Sequence, residues 1–425
     1  MQHALQSLKT KGGVYRLVTQ MKMLPTLLSR RCEDVKKARF ALFVAVSLLV
    51  FALVLGGCAQ KETGTKEETK EPEVIKVGVV TPLTGDVATF GQSTKNAVQM
   101  AVDEVNAAGG VLGKKIELVI IDDRNEPRET ANAFRKLIDQ DKVVAIIGSL
   151  TSKCTLAGAP IANAKKIPMI TSSSTNPKVT LTGPYAFRVC FIDDFQGQVM
   201  AQFAYEDLSA KKAAILYDNG NDYSKGLAEF FEKSFTGFGG EVVAKEVYSQ
   251  TDSDFNAQLT KIKNLNPDVI FLPDYYQKVA LIAKQARGLG IKATFLGGDG
   301  WDSPELVKLG GDAIEGGYFS NHYSKDDPDA KVQEFVKKYK EKYGSEPDAL
   351  AALAYDAVYF LVAGIKDAGK VDSQAIRDSL EKMGKFDGVT GSFTLDKNRN
   401  PIKSAVVLKI ENGAQKFVKR VEPKQ

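Results

Sequence analysis

Histidine and cysteine are scarce in this chain. Its 425 residues include two histidines and four cysteines. One histidine and two cysteines lie within the first 58 residues, which leaves His322, Cys154 and Cys190 for the rest. A zinc cluster needs several such ligands, and a Ser-His-Asp triad needs a histidine base. A Cys/His zinc site is therefore excluded beyond residue 58, and a hydrolytic triad is disfavoured.

An excess of positive charge is absent from most of the chain. The formal net charge is +5, but residues 1–57 hold nine of the 57 basic and two of the 52 acidic residues. The remainder carries 48 basic and 50 acidic side chains, a net of −2. Nucleic-acid binding normally requires a basic surface. We therefore exclude nucleic acid as a partner.

A nucleotide-binding phosphate loop is also missing, since no Gly-rich segment with the required spacing ends in Lys-Ser or Lys-Thr. Any ATP hydrolysis must belong to a partner, and we predict no cofactor.

The N-terminal segment has the order of a signal peptide. Basic residues 36, 37 and 39 precede an uncharged run, residues 40–55, and then Gly56, Gly57 and Cys58. The run is shorter than the roughly 20 residues that span a bilayer as a helix. A permanent membrane helix is the alternative. Because Cys58 follows small residues, the segment resembles the lipobox of bacterial lipoproteins, whose cysteine is acylated and becomes the new N-terminus.

This resemblance implies an exported protein that is lipid-anchored to the cell membrane and faces the periplasm or the cell exterior. Residues 1–57 would be a signal peptide with an N-terminal extension. Residues 58–73 would be the lipidated cysteine and a flexible tether, because this stretch is rich in Lys, Glu and Thr.

From residue 74 onward, β-branched runs alternate with helical periods. Val98, Ala101, Val102 and Val105 are spaced as one face of a helix. Strands are predicted at residues 74–80, 116–122, 143–147 and 168–171, and again at 213–217, 241–247, 268–272 and 294–296. The pattern is typical of an α/β fold, and it predicts two lobes with doubly wound parallel sheets. A helix-rich stretch, residues 329–366, would cap the first lobe.

Several ordered segments resemble one family, the type I periplasmic solute-binding proteins, in their leucine/isoleucine/valine branch. The similarity runs from about residue 74 to the C-terminus. It includes the segments Val77–Gly85 with Phe90-Gly91, Asn106–Gly113, Thr175-Asn176-Pro177 and Gly297–Trp301. The resemblance implies two lobes joined by a hinge: residues 74–194 with 323–400, and residues 195–322 with 401–425. The ligand would lie between them, beyond the carboxyl ends of the strands.

By this resemblance, two loops bind the ligand's α-carboxylate. Ser152 opens a predicted helix, whose N-terminus favours an anion. Ser173 would offer its backbone, and Thr175 its amide and hydroxyl. The alternative is that Ser152 only caps its helix.

The remaining ligand contacts implied by the family are one acidic residue and three aromatic residues. Asp299, between glycines at a strand end, would bind the ammonium group, because an unpaired buried charge is costly. Its alternative role is a turn residue. Tyr223, Tyr275 and Phe90 would close around the ligand, and core packing is the alternative for Phe90.

Two features depart from the family pattern. Relatives often have a disulfide at positions that here look like Asn125 and Thr151. Asp299 is also shorter than the glutamate of some members. A disulfide between Cys154 and Cys190 stays open, because the spacing does not establish one.

The predicted function is capture of an amino acid, a branched-chain one by resemblance, for an ABC permease with its ATPase subunits. We expect a monomer without enzymatic activity. Alternatives are a ligand-binding sensor of the same fold, or binding of an amide, urea or an aromatic acid. An exported enzyme with Ser152 or Ser173 as nucleophile, helped by Lys153, lacks a Gly-x-Ser-x-Gly elbow.

Overall fold

The structure, a computed structural model, describes residues 74–423. The predicted signal peptide, the lipidated Cys58 and the tether lie outside the described residues.

Residues 74–188 form a five-stranded parallel sheet in the order β2-β1-β3-β4-β5. The central strands are short and apolar, and their side chains alternate between two buried faces. In β3, Ala145 and Ile147 join one hydrophobic core, while Ile146 joins the core on the opposite face. The strands are β1 (Val74–Thr81), β2 (Lys115–Asp122), β3 (Ala145–Gly148), β4 (Met169–Thr171) and β5 (Ala186–Arg188).

Helices cover both faces of this first sheet, and together they form what we call the first lobe. One face packs on α1, α10 and α11, and the other packs on α2 and α3. The helices are α1 (Ala88–Ala107), α2 (Pro127–Asp139), α3 (Ser152–Lys165), α4 (Lys178–Leu181), α10 (Ala330–Tyr343), α11 (Ala349–Ala368) and α12 (Ser373–Lys382).

Helix α11 is long and apolar enough to cross a membrane by composition, and it is the one such helix among residues 74–423. Its most apolar window is 78% buried inside the fold. Leu353, Ala357 and Leu361 pack in the same core as β1 and β3. Its apolar character therefore reflects a core position between the sheet and neighbouring helices.

A second sheet of seven strands has the order β15-β14-β10-β9-β8-β6-β7. Strands β6 to β10 are parallel, and β14 and β15 add an antiparallel edge. The strands are β6 (Lys212–Asp218), β7 (Glu241–Tyr248), β8 (Val269–Phe271), β9 (Thr294–Gly297), β10 (Tyr318–Asn321), β14 (Ala405–Glu411) and β15 (Ala414–Val421).

The second lobe is this sheet with helices on both faces. Phe231 and Phe235 of α6 pack with Ala213 and Ile215 on one face, and Ile282 of α8 packs on the other. The helices are α5 (Asp193–Gln202), which continues as a π-helical turn over Phe203–Asp207, α6 (Asp222–Gly237), α7 (Asn256–Leu265), α8 (Tyr276–Gly288) and α9 (Pro304–Gly310).

The chain passes between the two sheets three times. It leaves the first sheet after β5, leaves the second after β10, and re-enters the second at β14. Before this last passage it forms a small three-stranded sheet from β11 (Phe386–Gly388), β12 (Gly391–Leu395) and β13 (Pro401–Ile402). The predicted α/β fold with two doubly wound lobes is confirmed, and the antiparallel edge is an addition to it. The lobe boundaries predicted by resemblance stay a prediction.

Both cysteines of the described residues, Cys154 and Cys190, are buried free thiols. The disulfide left open by the sequence is therefore not formed.

Candidate ligand-binding site

A small cavity lies between the two lobes, where strands of both sheets end. The space not filled by protein atoms there, including the part open to solvent, is about 280 Å³. Each polar side chain on it follows the carboxyl end of a parallel strand, the usual position of ligands in open α/β sheets. The lining residues are Phe90, Leu150, Thr151, Ser152, Ser173, Tyr223, Tyr275, Asp299, Gly300 and Leu350. Six of the seven predicted site residues thus lie on one cavity, and Thr175 is not on its lining.

Ser152 is the first residue of α3, and its hydroxyl does not cap that helix. The N-cap position belongs to Thr151, whose side chain makes no capping hydrogen bond either. The Asn176 backbone N–H donates to Ser152 Oγ at 3.2 Å. The Ser152 hydroxyl hydrogen is thus left for another acceptor, beside a helix N-terminus that favours negative charge.

The second loop, residues 172–175, lies against this helix start. The Ser173 hydroxyl donates to the Leu150 carbonyl at 3.0 Å. The Thr175 hydroxyl is buried and has no hydrogen-bond partner among residues 74–423. Buried Arg188 holds the loop, because its guanidinium donates to the carbonyls of Ser174 at 2.7 Å and Asn176 at 2.8 Å. The loop therefore places polar groups at the cavity edge, and not all of them form hydrogen bonds within the described part of the protein.

Asp299 lies opposite, just after β9, and is 6% exposed. Gln196 Nε2 donates to Asp299 Oδ1 at 3.1 Å, and His322 Nε2 lies 3.1 Å from Oδ2. Burial lowers the pKa of His322, so the imidazole is neutral near pH 7. Since a carboxylate only accepts, the hydrogen is assigned to Nε2. The neutral imidazole thus does not cancel the charge of the Asp299 carboxylate, whose oxygens have lone pairs for a further donor.

The glycines beside Asp299 permit close approach of the chain to Tyr223. A Cβ on Gly298 would lie 2.7 Å from the Tyr223 hydroxyl oxygen and 2.8 Å from Gln196 Oε1. The Gly300 N–H donates to the same tyrosine oxygen at 3.1 Å. Asn221 in turn caps α6 by accepting the Tyr223 N–H. These contacts fix the tyrosine ring beside the carboxylate.

Aromatic rings form one wall of the cavity. Tyr223 and Tyr275 stack with centroids 5.3 Å apart, and Phe90 meets Tyr275 edge-on at 6.1 Å. Tyr275 also lines a second cavity of about 640 Å³, which continues along the cleft toward Asp218 and Lys153. Tyr275 thus lines both cavities.

A direct hydrogen bond joins Asn125 and Thr151, the two positions at which the family resemblance led us to look for a disulfide. The Thr151 hydroxyl donates to Asn125 Oδ1 at 2.7 Å. The Cys154 thiol lies 3.6 Å from the same oxygen. A polar contact therefore joins the β2–α2 loop to the start of α3.

Several residues of the site were not predicted from the sequence. Leu150, Gly300 and Leu350 line the cavity, while Gln196 and His322 hold Asp299. His322 follows the carboxyl end of β10, which is a signal that the sequence offered. Gln196 lies within α5 and carries no such signal. Residues 74–423 contain no cluster of acidic, histidine or cysteine side chains suited to a metal.

A larger groove, of about 960 Å³, lies on the first lobe between α10, α11 and β11. Four of its charged groups already pair with one another, since Lys331 meets Asp387 at 2.6 Å and Lys338 meets Glu334 at 2.8 Å. It contains none of the predicted residues, and we place the site in the cleft instead.

The geometry defines a class of protein. Two open α/β sheets enclose a small cavity between them, and the cavity joins a buried carboxylate with a helix N-terminus. This is the arrangement of a two-lobed solute-binding protein.

The chain belongs to the periplasmic binding protein family, in the branch that contains the Leu/Ile/Val-binding proteins. The family profile described as "Periplasmic binding protein" matches residues 74–415. The Leu/Ile/Val-binding protein BraC3 of Rhizobium johnstonii is 33% identical over 323 residues, which are 75% of this chain and 87% of that protein. The function is therefore extracytoplasmic solute binding.

Two solved structures are similar over most of their length. The leucine-binding protein LivK of Thermotoga maritima has 44% identity and a TM-score of 0.79, covering 82% of this chain and 99% of that chain. The branched-chain amino acid transporter substrate-binding protein LivJ of Streptococcus pneumoniae, in complex with isoleucine, has 37% identity and a TM-score of 0.78. The similarity covers 82% of this chain and 100% of that chain.

Proposed function

We propose that this protein captures a branched-chain amino acid in the cleft and delivers it to an ABC permease. One observation carries the proposal: the cavity has a buried carboxylate on one side and a hydroxyl at a helix N-terminus on the other. Opposite polar ends suit a zwitterion better than a sugar or a lone anion.

The ligand's two charged groups would be bound at opposite ends. The α-carboxylate would accept from the Ser152 hydroxyl, from N–H groups of the first turn of α3, and from Ser173 and Thr175 of the second loop. The ammonium group would donate to Asp299. Each buried charge is then paired, which removes most of the cost of taking it out of water.

The ligand's side chain would meet apolar groups. Phe90, Leu150 and Leu350 line the cavity, and the Tyr223 and Tyr275 rings complete it. The similarity to Leu/Ile/Val-binding proteins and to an isoleucine complex supports the same ligand class.

Transport would follow from closure of the lobes on the ligand. We propose that residues 74–194 with 323–400 move as one lobe and residues 195–322 with 401–425 as the other. Contacts between the lobes include Asn176 Nδ2, which donates to the Asp222 carbonyl at 2.8 Å. A ligand that touches both lobes binds the closed state better and so favours it. The closed protein, as a monomer without enzymatic activity, would dock on the permease.

Anchoring would rest on Cys58. Its acyl chains would hold the exported protein on the membrane, each buried CH₂ contributing about 0.8 kcal/mol, and residues 58–73 would act as the tether.

A thermal-shift screen tests the ligand. The purified protein is unfolded and refolded to strip retained ligand, then heated with each of the twenty amino acids, amides, urea or aromatic acids. A ligand at 100 times its Kd adds about 2.7 kcal/mol of stability. We expect the largest rise with leucine, isoleucine or valine. A rise with an amide or an aromatic acid alone would contradict the proposed ligand class.

A further inference from the structure

Lys403 is a buried lysine in the third passage of the chain between its sheets. It lies between β13 and β14 and is 3% exposed. Its ammonium group donates to the Val189 carbonyl at 3.3 Å and to the Thr390 hydroxyl. It also lies 5.5 Å from the centre of the Phe393 ring. Burial lowers the pKa of Lys403 to about 8, and the charge of Asp356 opposes the fall, so the ammonium group is mostly charged at pH 7.

The Thr390 hydroxyl links this ammonium group to a buried acid. It accepts from Lys403 and donates to Asp356 Oδ2 at 2.6 Å. Asp356 lies in α11 and also accepts the N–H groups of Val389 at 2.7 Å and Thr390 at 2.9 Å. Two opposite buried charges are thus joined through one hydroxyl, which lowers the cost of keeping both out of water. Lys403 is thereby fixed to the first lobe.

These contacts hold two of the three passages on the first lobe. Val189 comes directly after β5, at the start of the first passage, and its carbonyl is bound by Lys403. In the third passage, β13 pairs with β12 of the small sheet just before Lys403. We call Lys403, Thr390, Asp356 and the Val189 carbonyl the hinge clasp. It ties the first passage to the third, and both to α11.

Directly beyond the hinge clasp, the chain joins the second lobe. Cys190 packs in a core of the first sheet, whereas the next residue, Phe191, packs in a core of the second. In the third passage, the Ser404 hydroxyl accepts from Arg420 of β15 at 2.9 Å, and Ala405 packs in the same second-lobe core. In both passages the chain therefore changes lobe within one or two residues.

We propose that Lys403 is a positioning residue for closure of the lobes, because it confines the bending of two passages to residues 190–191 and 403–405. The inference rests on the proposed closure around a ligand. It also extends the first lobe to residue 403 in the third passage, where the resemblance placed the boundary at residue 400. With fewer backbone angles free to bend, the ligand-free protein has fewer open conformations. Less entropy is then lost when a ligand closes the cleft.

Hydrogen exchange of the ligand-free protein tests the hinge clasp. Lys403→Met removes the ammonium group and keeps a side chain of similar length. Amide exchange measured by mass spectrometry should quicken by about tenfold or more in residues 186–192 and 400–406, and stay unchanged in β3 and β9. Lys409→Met, which changes a lysine that pairs with Glu411 near the surface, should leave both segments as in wild type. Unchanged exchange in residues 186–192 of a folded Lys403→Met protein would overturn the inference.

A matched pair of variants at Thr390 tests the same contacts without changing a charge. Thr390→Val keeps the shape of the side chain and removes the hydroxyl, whereas Thr390→Ser keeps the hydroxyl. Exchange in residues 186–192 should quicken in Thr390→Val and stay near the wild-type rate in Thr390→Ser. Equal rates in these two variants would contradict the hinge clasp. This pair also decides the question if Lys403→Met does not fold.

Titration calorimetry with leucine tests the effect on closure. The Kd should rise by roughly fivefold to thirtyfold in Lys403→Met, the factor that corresponds to the backbone freedom of about one residue. If Lys403 only stabilised the fold, its loss would lower the Tm and leave the Kd unchanged well below the Tm, and that result would overturn the positioning role. If the wild-type protein binds no amino acid, the proposed function falls, while the exchange experiment still decides whether Lys403 holds the passages.

Discussion

His322 and Asp299 lie 23 residues apart in the chain and meet through one hydrogen bond of 3.1 Å between Nε2 and Oδ2. The imidazole also stacks on Phe191, with centroids 3.7 Å apart. A neutral imidazole orients the carboxylate without cancelling its charge. Asp299 is thus both fixed in place and free to pair with a cation.

Replacement of Asp299 should abolish most of the affinity for an amino acid. Asp299→Asn removes the negative half of a buried ion pair, which costs roughly 2–5 kcal/mol. Titration calorimetry should show a Kd raised by at least about thirtyfold. Asp312→Asn, an exposed change on the same lobe, serves as the control. Unchanged affinity in Asp299→Asn would remove this carboxylate from the site.

Shortening Tyr275 should enlarge the range of ligands. Tyr275→Ala removes a ring that lines both the cavity between the lobes and the neighbouring cavity toward Asp218 and Lys153, and so should enlarge the space for a ligand. Phenylalanine and tryptophan should then bind, while leucine binds more weakly for lack of contacts.

Tyr275→Phe is the matched control for this change. It keeps the ring and removes a hydroxyl that has no hydrogen-bond partner among the described residues. It should retain the wild-type ligand range. A Tyr275→Ala variant that still rejects the larger amino acids in a thermal-shift screen would show that another side chain sets the size limit.

The acid at the start of α11 should make stability depend on pH. Asp348 caps this helix by accepting the Ala351 N–H at 2.8 Å, and the Ser93 hydroxyl donates to it at 2.6 Å. Burial raises its pKa to about 7, and the nearby charge of Asp302 adds to the rise.

The folded protein therefore binds this proton more tightly than the unfolded chain, whose Asp pKa is about 3.9. The stabilisation that this proton gives the folded state is complete below the pKa of the unfolded chain. It is lost as the pH rises through about 7, by up to about 1.4 kcal/mol per pH unit. Urea unfolding of Asp348→Asn should show a flatter dependence between pH 5 and pH 7. A slope equal to that of wild type would mean that another buried acid carries the effect.

Loss of the proposed anchor should release the protein from membranes. Cys58→Ser removes the thiol that would be acylated. After cell fractionation in high salt, the variant should appear in the soluble fraction, while Cys32→Ser should stay with the membranes. A Cys58→Ser protein that still pellets would contradict the lipobox interpretation.

Much of the fold could be predicted because its strands are apolar and its helices amphipathic. Strand β1 was expected at residues 74–80 and spans Val74–Thr81, and the helix around Val98 spans Ala88–Ala107. Helix α8 was missed, although Val279, Ile282, Ala283 and Ala286 repeat with a helical period. Strand β5 has three residues, which is too short for any period to show.

The residues of the site likewise fall into two groups, those that the sequence could predict and those that it could not. Ser152, Ser173 and Asp299 follow strand ends, and such positions can be found in the sequence of any open α/β sheet. Gln196 could not be found in this way, because its hydrogen bond to Asp299 depends on how the start of α5 meets the end of β9. Arg188 likewise gives no sign in the sequence that its buried guanidinium holds the loop after β4.

The three passages of the chain between its sheets also mean that both cores draw on distant parts of the sequence. The first lobe includes α10 and α11, which follow all the parallel strands of the second sheet, and the second lobe takes its antiparallel edge from residues 405–421. Each core thus contains side chains from the last hundred residues, such as Leu353 in the first lobe and Val406 in the second. A truncation that removes β14 and β15 would therefore take apolar side chains from the core of the lobe built mostly from the middle of the chain.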